Sequence, residues 1–370
     1  MFDYRQRIVL AQRAMLESGA DLLVVAPSDQ MRYLIGWAEG GHERLIALLL
    51  PAQGEPALLV PSMNALEAAR NPGGVSRVVG WDDGPQWYTQ VGSLLEEWGT
   101  PGAALADDEL LSVHLLHLQR LLPAVRWQPA GELMAGLRQI KTPDEMAALE
   151  QAARDIDAVC EESLAALREG ITEREFGRVI LDGISRRGKA PSFSPLVCFG
   201  ENGAHPHHLS SDTPLKRGDV VIIDVGSAHT GYASDITRVV AFGEPSDAGA
   251  RDVYAVVYAA HMAARSAAKP GATAESVDRA ARDVIERAGF GPQFLHRTGH
   301  GIGLSTHEPP YIVRGNPTVL QPSMCFSVEP GIYLPGRFGV RIENIVTVTE
   351  TGSRSLNAEP PAELRIVGNP

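Results

Sequence analysis

Four acidic residues fall into two pairs along the chain, Asp224 with Asp235 and Glu329 with Glu343, and His300 lies between the pairs. Carboxylates joined by one imidazole form a ligand set for divalent cations. An oxygen-rich set favours a hard ion such as Mn²⁺, while the imidazole also admits Co²⁺, Zn²⁺ or Fe²⁺. Two such ions roughly 3.5–4 Å apart can hold a bridging water, lower its pKa and polarise a carbonyl or phosphoryl oxygen. The expected chemistry is therefore hydrolysis with two divalent metal ions as cofactors. Taken singly, each of these acids is more often a solvated surface charge, so the argument rests on the elements that bring them together.

The first pair lies in the segment Asp219 to Asp235, where the β-branched run Val220-Val221-Ile222-Ile223 and a Gly-rich turn predict a hairpin centred near His229-Thr230. That hairpin would set Asp224 opposite Asp235, with Cβ atoms ~5 Å apart and a repulsion that a cation removes. The second pair brackets Pro335-Gly336, a turn signal midway between the glutamates. Upstream, Gly170, Thr172, Arg178, Asp182, Ile184, Arg186 and Gly188 recur 101 positions later as Gly271, Thr273, Arg279, Asp283, Ile285, Arg287 and Gly289. Each block reads as a Thr-capped amphipathic helix ended by Gly. Two copies of a helix-plus-hairpin unit, packed about a pseudo-twofold axis, would carry both carboxylate pairs to one centre.

Glycines flank His300 in Thr298-Gly299-His300-Gly301-Ile302-Gly303, leaving its imidazole open to an ion, although Gly clusters alone mark turns. His307 follows, placed to donate to a developing oxyanion. His205, His207 and His208 form a His-rich loop, one member of which is expected to contact substrate.

With 370 residues and 44% hydrophobic content, the chain is expected to form two domains. Residues 1–135 alternate helical and strand patterns, with helices near 4–18, 62–70, 86–98 and 108–120 and strands at 21–26, 45–50 and 57–60. This is an α/β domain without a cluster of catalytic residue types, expected to serve as scaffold or dimerisation unit. Residues 136–370 form the α+β domain with the internal repeat, entered by a long helix capped at Thr142-Pro143-Asp144-Glu145. A net charge of -12 without a dense Lys/Arg run argues against nucleic acid and for a peptide or small-molecule substrate. Cys160, Cys198 and Cys325 lack CxxC spacing and suit buried thiols in a reducing cytoplasm. No apolar run of about 18 residues points to a membrane.

The segments Ile223-Asp224-Val225-Gly226, Ser234-Asp235-Ile236-Thr237-Arg238, Thr298 to Gly303, His307-Glu308, Val328-Glu329-Pro330-Gly331 and Val340-Arg341-Ile342-Glu343 closely resemble those of the pita-bread metallopeptidases. That family includes Xaa-Pro dipeptidases, Xaa-Pro aminopeptidases and methionine aminopeptidases. Met31 to Gly36 resembles its creatinase-like N-terminal domain. The resemblance implies Asp224, Asp235, His300, Glu329 and Glu343 as metal ligands, with Asp235 and Glu343 shared or bidentate. It also implies Glu329 as proton shuttle, His207 near the scissile bond and His307 at the tetrahedral intermediate. Thr237 and Arg341 would support the ligands from behind, and the assembly would be a homodimer or larger homo-oligomer.

Certain relatives place an Arg after the His-Glu pair to hold a dipeptide's free carboxylate. Tyr311 stands there in this chain, with Arg314 three residues on; both are candidate substrate contacts. The expected activity is exopeptidase cleavage before proline by attack of a metal-bridging hydroxide. A broader aminopeptidase is the alternative, and a non-catalytic or metal-free creatinase-type relative the minor one.

Overall fold

The computed structural model describes residues 2–40, 43–84 and 87–368, and the chain divides into two compact units, Met1–Arg138 and Gln139–Pro370. In the first, six strands form one mixed sheet in the order Arg77–Trp81, Ala57–Pro61, Ala47–Pro51, Leu22–Val25, Ala103–Ala106, Arg126–Pro129. Its four inner strands are buried at every position, which is why they read as unbroken apolar runs rather than alternations. Helices occupy Tyr4–Ser18, Trp87–Trp98 and Ser112–Leu121; position 86 of the expected 86–98 helix lies outside the described residues. The expected 62–70 helix is a 3-10 turn, Ser62–Asn64, continued by Ala65–Ala68. Arg126–Pro129 was not legible as a strand because its residues are mostly exposed and polar.

The second unit opens with the helix Pro143–Ser163. Thr142 accepts from the Glu145 amide, and the Glu145 carboxylate accepts from the Thr142 amide, so two of the helix's orphan donors are satisfied reciprocally. The repeat is a structural one. Helices Glu173–Arg186 and Ala274–Arg287 start from N-caps Thr172 and Thr273. Gly170 and Gly271 precede them at φ 82° and 83°, a left-handed backbone that glycine adopts without Cβ strain. Isolated bridges Thr172 to Pro214 and Thr273 to Val319 tie each helix start to its own half.

Each half is built on three adjacent antiparallel strands. Leu196–Phe199, Val220–Val225 and Ile236–Phe242 are adjacent strands of the first; Gly299–Gly301, Cys325–Val328 and Asn344–Val348 are adjacent strands of the second. Phe176, Ile180 and Ile184 pack on the first sheet, and Val277, Ala281 and Ile285 on the second, all fully or almost fully buried. Burying each of these Phe, Ile and Val side chains contributes roughly 1.5–3 kcal/mol. The halves join at an antiparallel bridge between Thr237 and Glu343, where the Glu343 amide donates to the Thr237 carbonyl at 3.2 Å.

One register expectation is corrected. Asp224 pairs with Thr237, and Val225 with Ile236, so Asp224 does not sit opposite Asp235. Asp235 instead lies just before the returning strand, after a small inner hairpin, Ser227–His229 with Tyr232–Ala233, whose turn is Thr230-Gly231 rather than His229-Thr230. Thr230 and Gly231 both have positive φ, 50° and 89°, the conformation that a two-residue hairpin turn of this hand requires. The second hairpin turns at Pro335-Gly336, with Leu334 paired to Phe338. Among the described residues no helix is long and apolar enough to cross a membrane.

Candidate metal centre and its cavity

The five predicted ligands come from four strand ends and one glycine-flanked strand. Asp224 is the penultimate residue of Val220–Val225, and Asp235 immediately precedes Ile236–Phe242. Glu329 follows Cys325–Val328, and Glu343 precedes Asn344–Val348; the pairing of Val328 with Asn344 sets these two glutamates side by side. His300 sits in the three-residue strand Gly299–Gly301. A Cβ at Gly299 would lie 1.9 Å from the Ser327 carbonyl oxygen, and one at Gly301 2.3 Å from the Pro309 carbonyl oxygen. Glycine is therefore required on both sides to bring this strand against its neighbours.

These side chains converge. Oxygens of Asp224, Asp235 and Glu343 lie within 4.8 Å of one another, as do ligand atoms of His300, Glu329 and Glu343 and of Asp235, His300 and His307. His300 Nε2 is 3.3 Å from Glu329 and 3.7 Å from Asp235. Its Nδ1 lies 3.0 Å from the Gly301 carbonyl, which can only accept. Nδ1 therefore carries the proton and Nε2 presents its lone pair to the carboxylates.

Electrostatics give the fit test for a cation. Asp224 Oδ1, Asp235 Oδ1 and Glu343 Oε1 are buried and have no hydrogen-bond partner among the described residues, a costly state for a carboxylate oxygen. Burial, reinforced by the charges of Glu343, Asp224 and Glu329, pushes the Asp235 carboxyl well above its usual range. Burial and then Glu329 do the same to Glu343. Burial lifts Glu329 to about 7 against the pull of Arg341, and it raises Asp224 despite the same arginine. Burial, then the neighbouring His307, hold His300 at about 3, so its imidazole is neutral. The residues fit divalent cations: oxygens without donors, a neutral imidazole aimed inward, and excess negative charge.

Arg341 braces the cluster. Its Nη2 donates to Asp224 Oδ2 at 2.6 Å, Nε to Thr237 Oγ1 at 3.1 Å and Nη1 to the Tyr333 hydroxyl at 2.8 Å. Thr237 Oγ1 in turn donates to Glu343 Oε2 at 2.7 Å. Ser327 Oγ donates to Glu329 Oε1 at 3.0 Å and accepts from the His300 amide at 3.0 Å. Tyr333, His296 and Ser327 were not singled out by residue type, because their spacing from the ligands is not that of any ligand pattern.

The ligands open onto a cavity of about 640 Å³ whose wall includes His207, His307, His296, Arg297, Phe193 and Leu196. Of the three histidines in the 205–208 loop only His207 lines it; His208 is bound to Glu173. The His300 and His307 rings stand edge to face with centroids 4.0 Å apart. The cavity omits both predicted contacts beyond the His-Glu pair. Arg314 is 74% exposed and 3.9 Å from Glu286, because it lies in the turn after the strand Glu308–Ile312 rather than on it. Tyr311 does not line the cavity either, but its ring carries the Arg297 guanidinium at 4.5 Å. Arg297 was missed although it stands only three residues before His300.

Two family models match the chain, Creatinase/Prolidase N-terminal domain over residues 7–140 and Metallopeptidase family M24 over residues 147–350. A Mycobacterium tuberculosis protein named probable dipeptidase PepE is 42% identical over 98% of this chain and 96% of its own length. An Xaa-Pro dipeptidase of Lactobacillus helveticus is 36% identical over 93% of this chain and 94% of its own length. The solved prolidase of Thermococcus sibiricus superposes with a TM-score of 0.94 at 35% identity, covering 99% of this chain and all of that one.

Proposed function

Starting from a chain that belongs to metallopeptidase family M24 and carries its creatinase-type N-terminal domain, we propose that it is a dinuclear exopeptidase cleaving the bond between an N-terminal residue and a following proline. The observation that carries this reading is the convergence of Asp224, Asp235, His300, Glu329 and Glu343 with three buried carboxylate oxygens lacking donors. When bound there, a pair of divalent cations supplies an activated water and neutralises charge on the scissile carbonyl. The oxygen-rich set supports Mn²⁺ as the working ion, ahead of Co²⁺, Zn²⁺ and Fe²⁺.

The remaining roles belong to side chains. Glu329, whose Oε1 lies 3.3 Å from His300 Nε2 and accepts from Ser327 Oγ, is placed to take a proton from the water and return it to the leaving nitrogen. His307 and His207, exposed into the cavity, are placed to donate to the carbonyl oxygen and to the substrate beside the scissile bond. Thr237 and Arg341 hold Glu343 and Asp224 in position.

Arg297 favours the dipeptide version over a broader aminopeptidase. It lines the cavity, stacks on Tyr311, and makes no salt bridge with any described residue, leaving its planar fork for an incoming carboxylate. In this reading Arg297 takes the part for which Tyr311 and Arg314 were candidates. We place the enzyme in the cytoplasm as a homodimer or larger homo-oligomer, which sedimentation of the purified chain tests.

The deciding experiment compares an Xaa-Pro dipeptide, its C-terminal amide and an Xaa-Pro-Xaa tripeptide. Chelator should abolish turnover and Mn²⁺ restore it, with the free dipeptide preferred; replacing Arg297 by Ala should erase that preference. Turnover persisting without metal ends the metallopeptidase mechanism. Equal turnover of dipeptide and amide by the unmodified enzyme ends the dipeptide version.

A further inference from the structure

Glu173 is a buried carboxylate that the five-ligand site does not use. It is the first residue of the helix Glu173–Arg186 and is fully buried. Both its oxygens are filled. Oε1 accepts from the Phe199 amide at 2.8 Å and from Asn202 Nδ2 at 2.9 Å. Oε2 accepts from His208 Nε2 at 2.8 Å, the Ser211 amide at 2.8 Å and Ser211 Oγ at 2.7 Å. Burial pushes its carboxyl up, but the bonds from Ser211, Asn202, Phe199 and His208 together outweigh burial and hold it below the usual range. It is an anion gripped by five donors.

All five donors lie in residues 199–211, the segment from the end of Leu196–Phe199 to the approach of Val220–Val225. His207, the one histidine of this loop that reaches the cavity, stands between the two gripped ends and next to His208. The internal repeat separates this grip from helix capping. At the offset of 101, the counterpart of Glu173 is Ala274. The backbone anchors correspond, Glu173 N to the Thr213 carbonyl and Ala274 N to the Thr318 carbonyl, and Thr172 and Thr273 cap both helices. A helix start of this kind therefore forms without a carboxylate at its first position. The half that carries one is the half whose loop presents His207.

We propose that Glu173 is a positioning residue, a clamp that fixes the 199–211 loop so that His207 faces the bond being cleaved. This rests on the metallopeptidase reading above. A residue that acts only through His207 must lose its importance once His207 is gone, whereas a residue needed for the fold matters in either background.

The test uses the full chain saturated with Mn²⁺ and an Ala-Pro dipeptide. Glu173→Gln should lower kcat/KM about 10- to 100-fold, the scale of an ångström-sized misplacement, and the same change in a His207→Ala background should cost less than about threefold. Amide exchange should accelerate within 199–211 and stay unchanged within 220–225 and 236–242, with Mn²⁺ affinity preserved. An equal loss in both backgrounds, or a parallel fall in Mn²⁺ affinity, overturns the proposal. If Glu173→Gln does not fold, Ser211→Ala removes one donor from the clamp and must show the same dependence on His207. Should the unmodified enzyme fail to cleave Xaa-Pro peptides, the functional reading falls, and amide exchange still decides the clamp: undiminished protection of 199–211 in Glu173→Gln refutes it.

Discussion

Stripping the cations should make this protein less stable as pH rises from about 4.5 to 7, the reverse of what paired carboxylates usually produce. Glu329 moves from 4.5 to about 7 in the folded chain and is only 15% exposed. At about 1.4 kcal/mol per pH unit, the shift corresponds to about 3 kcal/mol. The sign follows from proton binding. Between the two values the folded state holds a proton that the unfolded chain has released, so stability is fully present below pH 4.5 and lost as pH climbs through about 7. Asp235, Glu343 and Asp224 are raised as well and steepen the same fall. The assay is urea unfolding of chelator-treated protein at pH 5, 6, 7 and 8, following the transition that Mn²⁺ shifts, with Glu329→Gln in parallel. The uncharged variant should lose about 3 kcal/mol less than the parent across this range and be the more stable of the two above pH 7. Mn²⁺ at a hundredfold its dissociation constant should add about 2.7 kcal/mol to the parent. A flat or rising profile in the metal-free parent, or the same slope in Glu329→Gln, refutes the reasoning.

Two further outcomes are expected. Arg341→Lys retains a positive charge but cannot reach Asp224, Thr237 and Tyr333 together, so titration calorimetry should record Mn²⁺ affinity falling about 10- to 100-fold while the urea midpoint of the chelated protein changes little in comparison. Lys141 and Glu308 form an ion pair at 2.7 Å with side chains 1% and 6% exposed, directly beside His307. Lys141→Met should destabilise by about 3–5 kcal/mol because it leaves a buried anion without this ammonium, and Lys141→Met combined with Glu308→Gln should recover part of that loss; no recovery in the unfolding curves would show that the two do not act as a pair.

Much of the catalytic half was legible because its signals are local. The capping box at Thr142, the Thr cap and closing Gly within each copy of the repeat and the Pro335-Gly336 turn each depend on residues near one another in the chain, and each appears where the chain predicts it. The carboxylates were legible as a set because like charges at equivalent places in two copies have few other reasons to recur. Register was not legible. Gly226 approaches Ser234 so closely that a Cβ there would lie 2.1 Å from the Ser234 carbonyl oxygen, and this pinch lets an inner hairpin displace Asp235 from the place opposite Asp224. Nothing in local spacing announces such a contact. Arg297 and Glu173 escaped for the complementary reason, since a lone arginine beside a glycine run and a glutamate at a helix start are ordinary until the cavity wall and the 199–211 loop are seen around them.

The bridge between Thr237 and Glu343 has a consequence for biosynthesis. Because the centre draws two carboxylates from an early stretch and the rest from a late one, a growing polypeptide exposes Asp224 and Asp235 while their eventual companions are still inside the ribosome. Ion capture is thereby deferred until the C-terminal sheet has emerged and docked, so a truncated product ending before Glu329 would carry an unfinished acidic cradle and should be an early target for quality-control proteases.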